Sequence, residues 1–373
     1  LDYRVYNCTG HSVSSWTAST GTVPTNCTIG CVWDTRMVLS GDASNPHVVS
    51  MSRQDDPDDW DFAADADDTA GAIQSTSLVG GNIQEPVTAL VPHHEHCLLM
   101  GTAHRWLVYR NNPRRGGVLV EIPGCTGPTN SAAWCHSSDG YLYYLSRDGL
   151  YRMEPGCGST PTSMSRERIP DSLLGIDGVN NICIMEYDVR FRGLHIYITG
   201  TDPQAWWFDL EGEGFWPITP PTGTIYAAKR FDIFGTEDKS GVLVGGAALT
   251  RLDRTADIEA DTGAFIKLGP VNLESSTGQK CIIQEAVVNF GDNTTDDDGT
   301  VDFYANDSAE SVTTLSATRK HSKTIENIQA NHGRCHPRIG GSAALVHIEL
   351  ADNSEHISIE GIDLYLKRTG KER

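Results

Sequence analysis

Between Ile182 and Ile218 apolar and polar residues alternate with a period of two, broken at short intervals by turn formers. Ile182 to Phe191 reads as a strand with Tyr187, Val189 and Phe191 on one face. Arg192-Gly193 turns the chain, and Leu194, Ile196 and Ile198 then alternate with His195, Tyr197 and Thr199. Gly200 to Pro203 is a loop before the apolar run Trp206, Trp207 and Phe208, and Glu211 to Gly214 turns into Phe215 and Trp216. Four antiparallel strands meandering through roughly 40 residues are the unit of a β-propeller blade.

Strand–glycine–strand units of the same kind recur at Met37 to Ser52, Cys97 to Tyr109, Tyr141 to Met153 and Gly241 to Leu252. Their starts fall about 45 to 60 residues apart, the spacing of propeller blades. Residues 1–256 are therefore expected to form a propeller of five or six blades. From Phe265 the strands lengthen, and Val346, Ile348 and Leu350 alternate with His347 and Glu349 as in a sheet buried on one face. Residues 257–373 are expected to form a C-terminal β-sandwich-like domain. Between Ile359 and Ile362 the apolar phase slips by one beside Gly361, which predicts a β-bulge. Helix is expected only in short turns, and the best candidate runs roughly from Pro170 to Leu174. The fold class is all-β.

Composition supports that picture. The 373 residues include 37 Gly and 17 Pro, a density suited to many tight turns. No apolar run approaches the ~18 residues that a membrane helix requires, so no membrane partner is expected. Formal net charge is −20, from 49 acidic and 29 basic side chains. Such a surface repels phosphate on average, so tight binding to DNA is not expected. The ten cysteines are scattered without C-x-x-C pairs, and no basic-then-apolar leader opens the chain. They are read as mostly free, buried thiols of a protein made in a reducing compartment, and the four Asn-x-Ser/Thr sites as chance matches. Leu1 stands where an initiator Met would, which predicts an upstream segment.

The candidates for chemistry are few. His93, His94, His96 and Cys97 have metal-ligand side chains, but strand alternation sends neighbours to opposite faces. The run of aspartates from Asp55 to Asp68 and the run from Asp292 to Gly299 both lack the glycine register of a calcium loop and read as solvated acidic loops. Ser137 to Gly140 and Ser146 to Gly149 are favourable Asp-Gly turns that faintly resemble the aspartate box of sialidases. Arg190 and Arg192 with Tyr187 and Glu186 could be fitted to a sialidase site, as similar groups could in any propeller. Trp206, Trp207 and Trp216 could stack on sugars, but wedge filling between blades is the plainer reading. No catalytic, cofactor-binding or metal-ligating residue is assigned, and neither enzyme activity nor a cofactor is expected.

The stretch from Arg36 to Met153 carries phrases that resemble a family of phage virion proteins. S-R-x-x-D-P-x-D-W-D is matched from Ser52 to Asp61, D-G-x-x-x-x-L-S-x-D-G-L-Y from Asp139 to Tyr151, and S-R-E-R-[IL]-P from Ser165 to Pro170. Near the C-terminus DFYANDSAE resembles a hairpin of the same proteins. The family consists of β-propeller proteins of the head-to-tail junction, similar to tail nozzle or tail tubular proteins. The resemblance implies a homo-oligomeric ring beneath the portal, in contact with portal, adaptor and tail components. Genomic DNA would pass through it without tight binding. It also implies a place in the virion after assembly in the host cytoplasm. It supplies no catalytic residues. Two alternatives compete with this reading. One is a glycan-binding or glycan-acting propeller of a tail fibre or receptor-binding protein. The other is a cellular propeller scaffold.

Overall fold

The blade expected from Ile182 to Ile218 forms as four antiparallel strands, Asn181–Asp188, Gly193–Gly200, Gln204–Asp209 and Gly214–Pro217, hydrogen-bonded in chain order. Arg192, at a φ of 49°, makes the first turn. These strands belong to a computed structural model that describes residues 3–63, 67–76, 81–94, 96–156, 159–165, 169–178, 180–201, 203–218, 224–231, 241–246, 249–252, 265–274, 280–290, 299–313, 319–325, 333–350 and 359–368. The chain divides into two compact units, Leu1–Leu252 and Asp253–Arg373. The composition shift at Asp257 lies outside the described residues.

The first unit is a β-propeller, with five successive small sheets among the described residues. Their first strands are Ile29–Trp33, Val87–His94, Trp134–His136, Asn181–Asp188 and Ala227–Phe231. Four sheets have four strands each, and the fifth has three described ones. Side-chain parity explains how the sheets stack. In the second sheet Leu90, Leu98 and Met100 face the first, packing with Trp33, Val38 and Met51. Val91, Leu99 and Val108 face the opposite way, against Leu142, Tyr144 and Met153 of the third. The third meets the fourth through Leu145 and Leu150 against Met185 and Ile196, and the fourth meets the fifth through Ile184 and Tyr197 against Val242 and Val244. A sheet buried on both faces needs apolar residues at consecutive positions, which is why the strand Cys97–Thr102 is buried throughout. Before the first sheet, Arg4–Asn7 and Ser12–Ser15 form a separate hairpin, and Thr20–Gly21 runs parallel to Asp59–Trp60. The expected helix near Pro170 is a single 3-10 turn, Asp171–Leu173, with Leu173 buried.

The second unit is a β-sandwich. One sheet orders Phe265–Asn272, Ala343–Leu350, Gly299–Asn306 and Arg319–Ile325. In the other, Cys281–Phe290 pairs with Ile359–Arg368 and with the short strands Arg334–Cys335 and Ile339–Gly341. Val301, Phe303 and Ala305 of the first sheet meet Ile283, Ala286 and Val288 of the second in one core. The bulge expected at Gly361 is present. The register passes from Asn289 opposite Gly361 to Phe290 opposite Ile359, so that Ile359, Ile362 and Leu364 all lie against the core. One expectation needs correction. DFYANDSAE is not a simple hairpin, because its strand runs into a short helix, Ala309–Thr313, which buries Val312 against Tyr304 and Leu345.

Candidate functional site

The first strands of the propeller sheets lie side by side, Ile29–Trp33 against Val87–His94 and Asn181–Asp188 against both Trp134–His136 and Ala227–Phe231. Polar side chains gather where these strands end. Nδ1 of His93 lies 3.1 Å from Nε2 of His136, and the other ring nitrogen of His93 lies 2.8 Å from the Glu154 carbonyl. The two rings are nearly coplanar, at 9°. Burial lowers the pKa of His93, with the Glu154 carbonyl opposing. Burial, then His93 and then Lys229 push His136 down to about 4. Both imidazoles are therefore neutral near pH 7, one donating to the other.

The band continues through the fourth and fifth sheets. Glu186 is buried and pairs with the exposed ammonium of Lys229 at 3.3 Å, while Lys229 also lies 5.9 Å over the ring of Trp134. His195, opposite Glu186 in the ladder, has its Nε2 3.5 Å from Oδ2 of Asp188 and its ring 4.8 Å from that of Trp207. Burial raises the pKa of Asp188, but the bond to His195 and backbone N–H groups outweigh it and hold the carboxylate below its usual range. At the other end, residues Val32 to Thr35 at the first hairpin turn and Pro92–His94 line an open cleft of about 440 Å³. Asp34 and Thr35 both have positive φ there, and the Asp34 carboxylate accepts from Gln54 and Asn112. The proximity of His93, His136, Glu186 and Lys229 has no signal in the sequence, because it arises from stacking of separate blades.

The phrase Ser52 to Asp61 is spent on architecture. Ser52 Oγ accepts from the Met37 N–H, and Trp60 is fully buried with its indole N–H donating to the Pro57 carbonyl at 2.8 Å. Asp58 accepts from the Trp16 indole at 2.6 Å, and Arg53 pairs with Asp68 at 2.6 Å. Asp56, Asp59, Asp61 and Asp68 each accept the backbone N–H two residues on, a ladder of Asx turns. Reading this run as a merely solvated loop understates it. Asp65 and Asp292–Asp298 lie outside the described residues, as do Arg166, Glu167 and Arg168.

The remaining candidates fall as follows. His94 and His96 sit together at the surface, His93 turns to His136, and Cys97 is buried and disulfide-bonded, so the four do not converge. Among the described residues no group of three His, Cys, Asp or Glu side chains is placed to hold a metal ion. No described helix is long and apolar enough to cross a membrane. Asp148 of the second Asp-Gly turn accepts from Thr126 and Tyr151, and Gly140 makes the first turn at a φ of 81°. Tyr187 packs in the core between the third and fourth sheets, while its neighbour Glu186 points to the other face beside Lys229. Trp206 fills a wedge as expected. Trp216 does not, since half of it is exposed.

No protein-family model and no curated protein matches the chain. Among solved structures it is similar to the N-terminal domain of Nup159, at 10% identity and a TM-score of 0.37, covering 63% of this chain and 62% of that one. It is similar to a GH74 enzyme of Niastella koreensis at 14% identity and a TM-score of 0.39, over 66% of this chain and 42% of the other. The extracellular domain of a one-component system from B. thetaiotaomicron gives 10% identity and a TM-score of 0.42, over 98% and 48%. The chain spans less than two thirds of the length of each of these. At these values the likeness says nothing of activity or partners.

Proposed function

We propose that the chain is a structural subunit of a bacteriophage virion, part of a ring at the head-to-tail junction that surrounds the DNA channel. The observation that carries this reading is how the resembling phrases are used. Ser52, Arg53, Asp58, Asp59 and Trp60, and then Asp148 and Ser165, are all committed to bonds or packing within the fold. Side chains that recur in a family to hold turns and strand edges suit a scaffold, whereas those of an enzyme converge on an open site. The function is then geometric and electrostatic. Blades cross-linked by buried side chains resist pressure, and a chain of net charge −20 lets a polyanion pass without trapping it.

Electron microscopy of the assembled particle tests the proposal. The expected map places copies of this chain in a closed ring on the central axis between head and tail. A map that places it on a peripheral fibre defeats the reading, and hydrolysis of a glycan by the purified protein replaces it with the glycan-acting alternative.

A further inference from the structure

Every residue from 4 to 15 is exposed, although Arg4–Asn7 and Ser12–Ser15 form a regular four-pair ladder. No other described strand joins this two-stranded sheet. An isolated hairpin is marginal in water, and this one places Val5, Tyr6 and Val13 at 43%, 55% and 61% exposure. Tyr6 and Val13 are cross-strand partners, and the Tyr6 hydroxyl lies 2.7 Å from Nδ1 of His11, so aromatic, aliphatic and imidazole groups form one surface. Tyr and Arg are residue types that dominate binding energy at protein interfaces, and Arg4 shares the Tyr6 face by strand parity.

The root of the hairpin is the opposite of its tip. Tyr3 and Trp16 stack edge-on at 5.9 Å, Trp16 stacks in turn on the buried Trp60, and the Tyr3 hydroxyl is bonded to the backbone of Cys27. The Trp16 indole donates to Asp58, within the aspartate-rich phrase itself. An arm held at its root loses little freedom when its tip is captured, which favours binding. Charge narrows the choice of occupant. Residues 3–33 contain no acidic side chain, whereas the whole chain carries a net charge of −20. This segment, the longest in the chain without an acidic side chain, therefore complements the acidic remainder of its own surface.

We infer that the arm of residues 4–15 docks on a second copy of this chain and is a joint between neighbouring subunits of an assembly. This builds on the ring reading, which supplies a neighbour, but it stands on the arm's own exposure and charge. The arm offers its own probe. Cys8 at the tip is free and exposed, while the other free cysteines among the described residues are buried or half-buried. The full chain labelled at Cys8 with a benzophenone maleimide is irradiated, and its mass distribution in solution is compared with those of Tyr6→Ser/Val13→Ser and Arg4→Glu. The expected result is copy-to-copy cross-links in the unmutated chain. In both variants these are lost, and half-assembly requires at least about a tenfold higher concentration. Circular dichroism should be unchanged, since the altered side chains are all exposed. An assembled protein whose variants assemble equally well overturns the arm while leaving the ring intact. A chain that stays monomeric at its highest soluble concentration also overturns the arm, and the particle map then decides the ring separately.

Discussion

Nδ1 of His93 and Nε2 of His136 face each other at 3.1 Å across the boundary between the second and third propeller sheets. Both groups have pKa values below the ordinary 6.5, His136 at about 4, chiefly through burial. An unfolded chain takes up these protons near pH 6.5, and the folded chain resists doing so. Stability contributed by the pair is thus complete above about pH 6.5 and is lost as pH falls toward 4. At about 1.4 kcal/mol for each unit of depression, the loss is on the order of a few kcal/mol. Denaturant melts at pH 7 and at stepwise lower pH should show it, and His136→Gln should flatten the slope in that window. Carboxylates held low, such as Asp188, act below their ordinary 3.8 and do not confuse the comparison. An unchanged slope in the variant would remove the pair from the account.

Arg36 is completely buried, with Nη1 donating to the carbonyls of Ser52 at 2.6 Å and Gly71 at 2.8 Å and Nη2 to that of Thr69. Burial pulls its pKa down to about 10, yet it stays charged at neutral pH. Arg36→Met should cost roughly 3 kcal/mol, because three carbonyls lose a charged donor at once. Arg36→Lys should recover only part of that, since one ammonium cannot reproduce the fork of the guanidinium. Equal denaturation midpoints for the unmutated protein and Arg36→Met would show that the carbonyls find other partners.

Gly193 lies directly beneath Trp207, where an added Cβ would come within 2.0 Å of the indole ring. The ring is wedged between His195 and Phe191 and has little freedom to move aside. Gly193→Ala should therefore destabilise the fourth sheet by about 1–3 kcal/mol and change tryptophan fluorescence. A variant with native fluorescence and stability would mean that the indole has room that the packing does not suggest.

The expectation of mostly free thiols holds among the described residues with one departure, because Cys97 is disulfide-bonded. Eight others are free, and Cys157 lies outside the described residues. Thiol titration in denaturant without reductant should give close to eight groups, rising to ten with reductant. In the native protein Cys8 should react first among the described free cysteines, since it is the exposed one of them. A native burst of several thiols would contradict the burial of Cys125, Cys135 and Cys183. Ten groups without reductant would show that Cys97 carries a free thiol.

Elements governed by nearest neighbours were legible in the sequence, and contacts between distant segments were not. The meander from Ile182 to Ile218 announces itself through alternation and turn residues, and the bulge at Gly361 through a slip of one in the apolar phase. His93 and His136, 43 residues apart, meet only because the second and third sheets stack. Trp16 and Asp58 are likewise joined across 42 residues, so the aspartate run reads as an acidic loop until its indole partner is known. Side-chain type also misled at Trp216, where the end of a short edge strand leaves the ring half in water. Alternation reports which face a residue takes. It does not report whether a neighbouring blade covers that face.

The Asx turns at Asp56, Asp59, Asp61 and Asp68 have a consequence for how this surface can change. Each turn needs one side-chain oxygen two residues before an N–H, and the amide of asparagine supplies that oxygen as well as a carboxylate does. Backbone shape and negative charge are thus set by separable parts of the same residue. Asp→Asn exchanges at Asp56 and Asp61 can tune the electric field of the loop step by step while its path stays fixed. Asp68 and Asp59 are exceptions, because their carboxylates also pair with Arg53, at 2.6 and 3.8 Å.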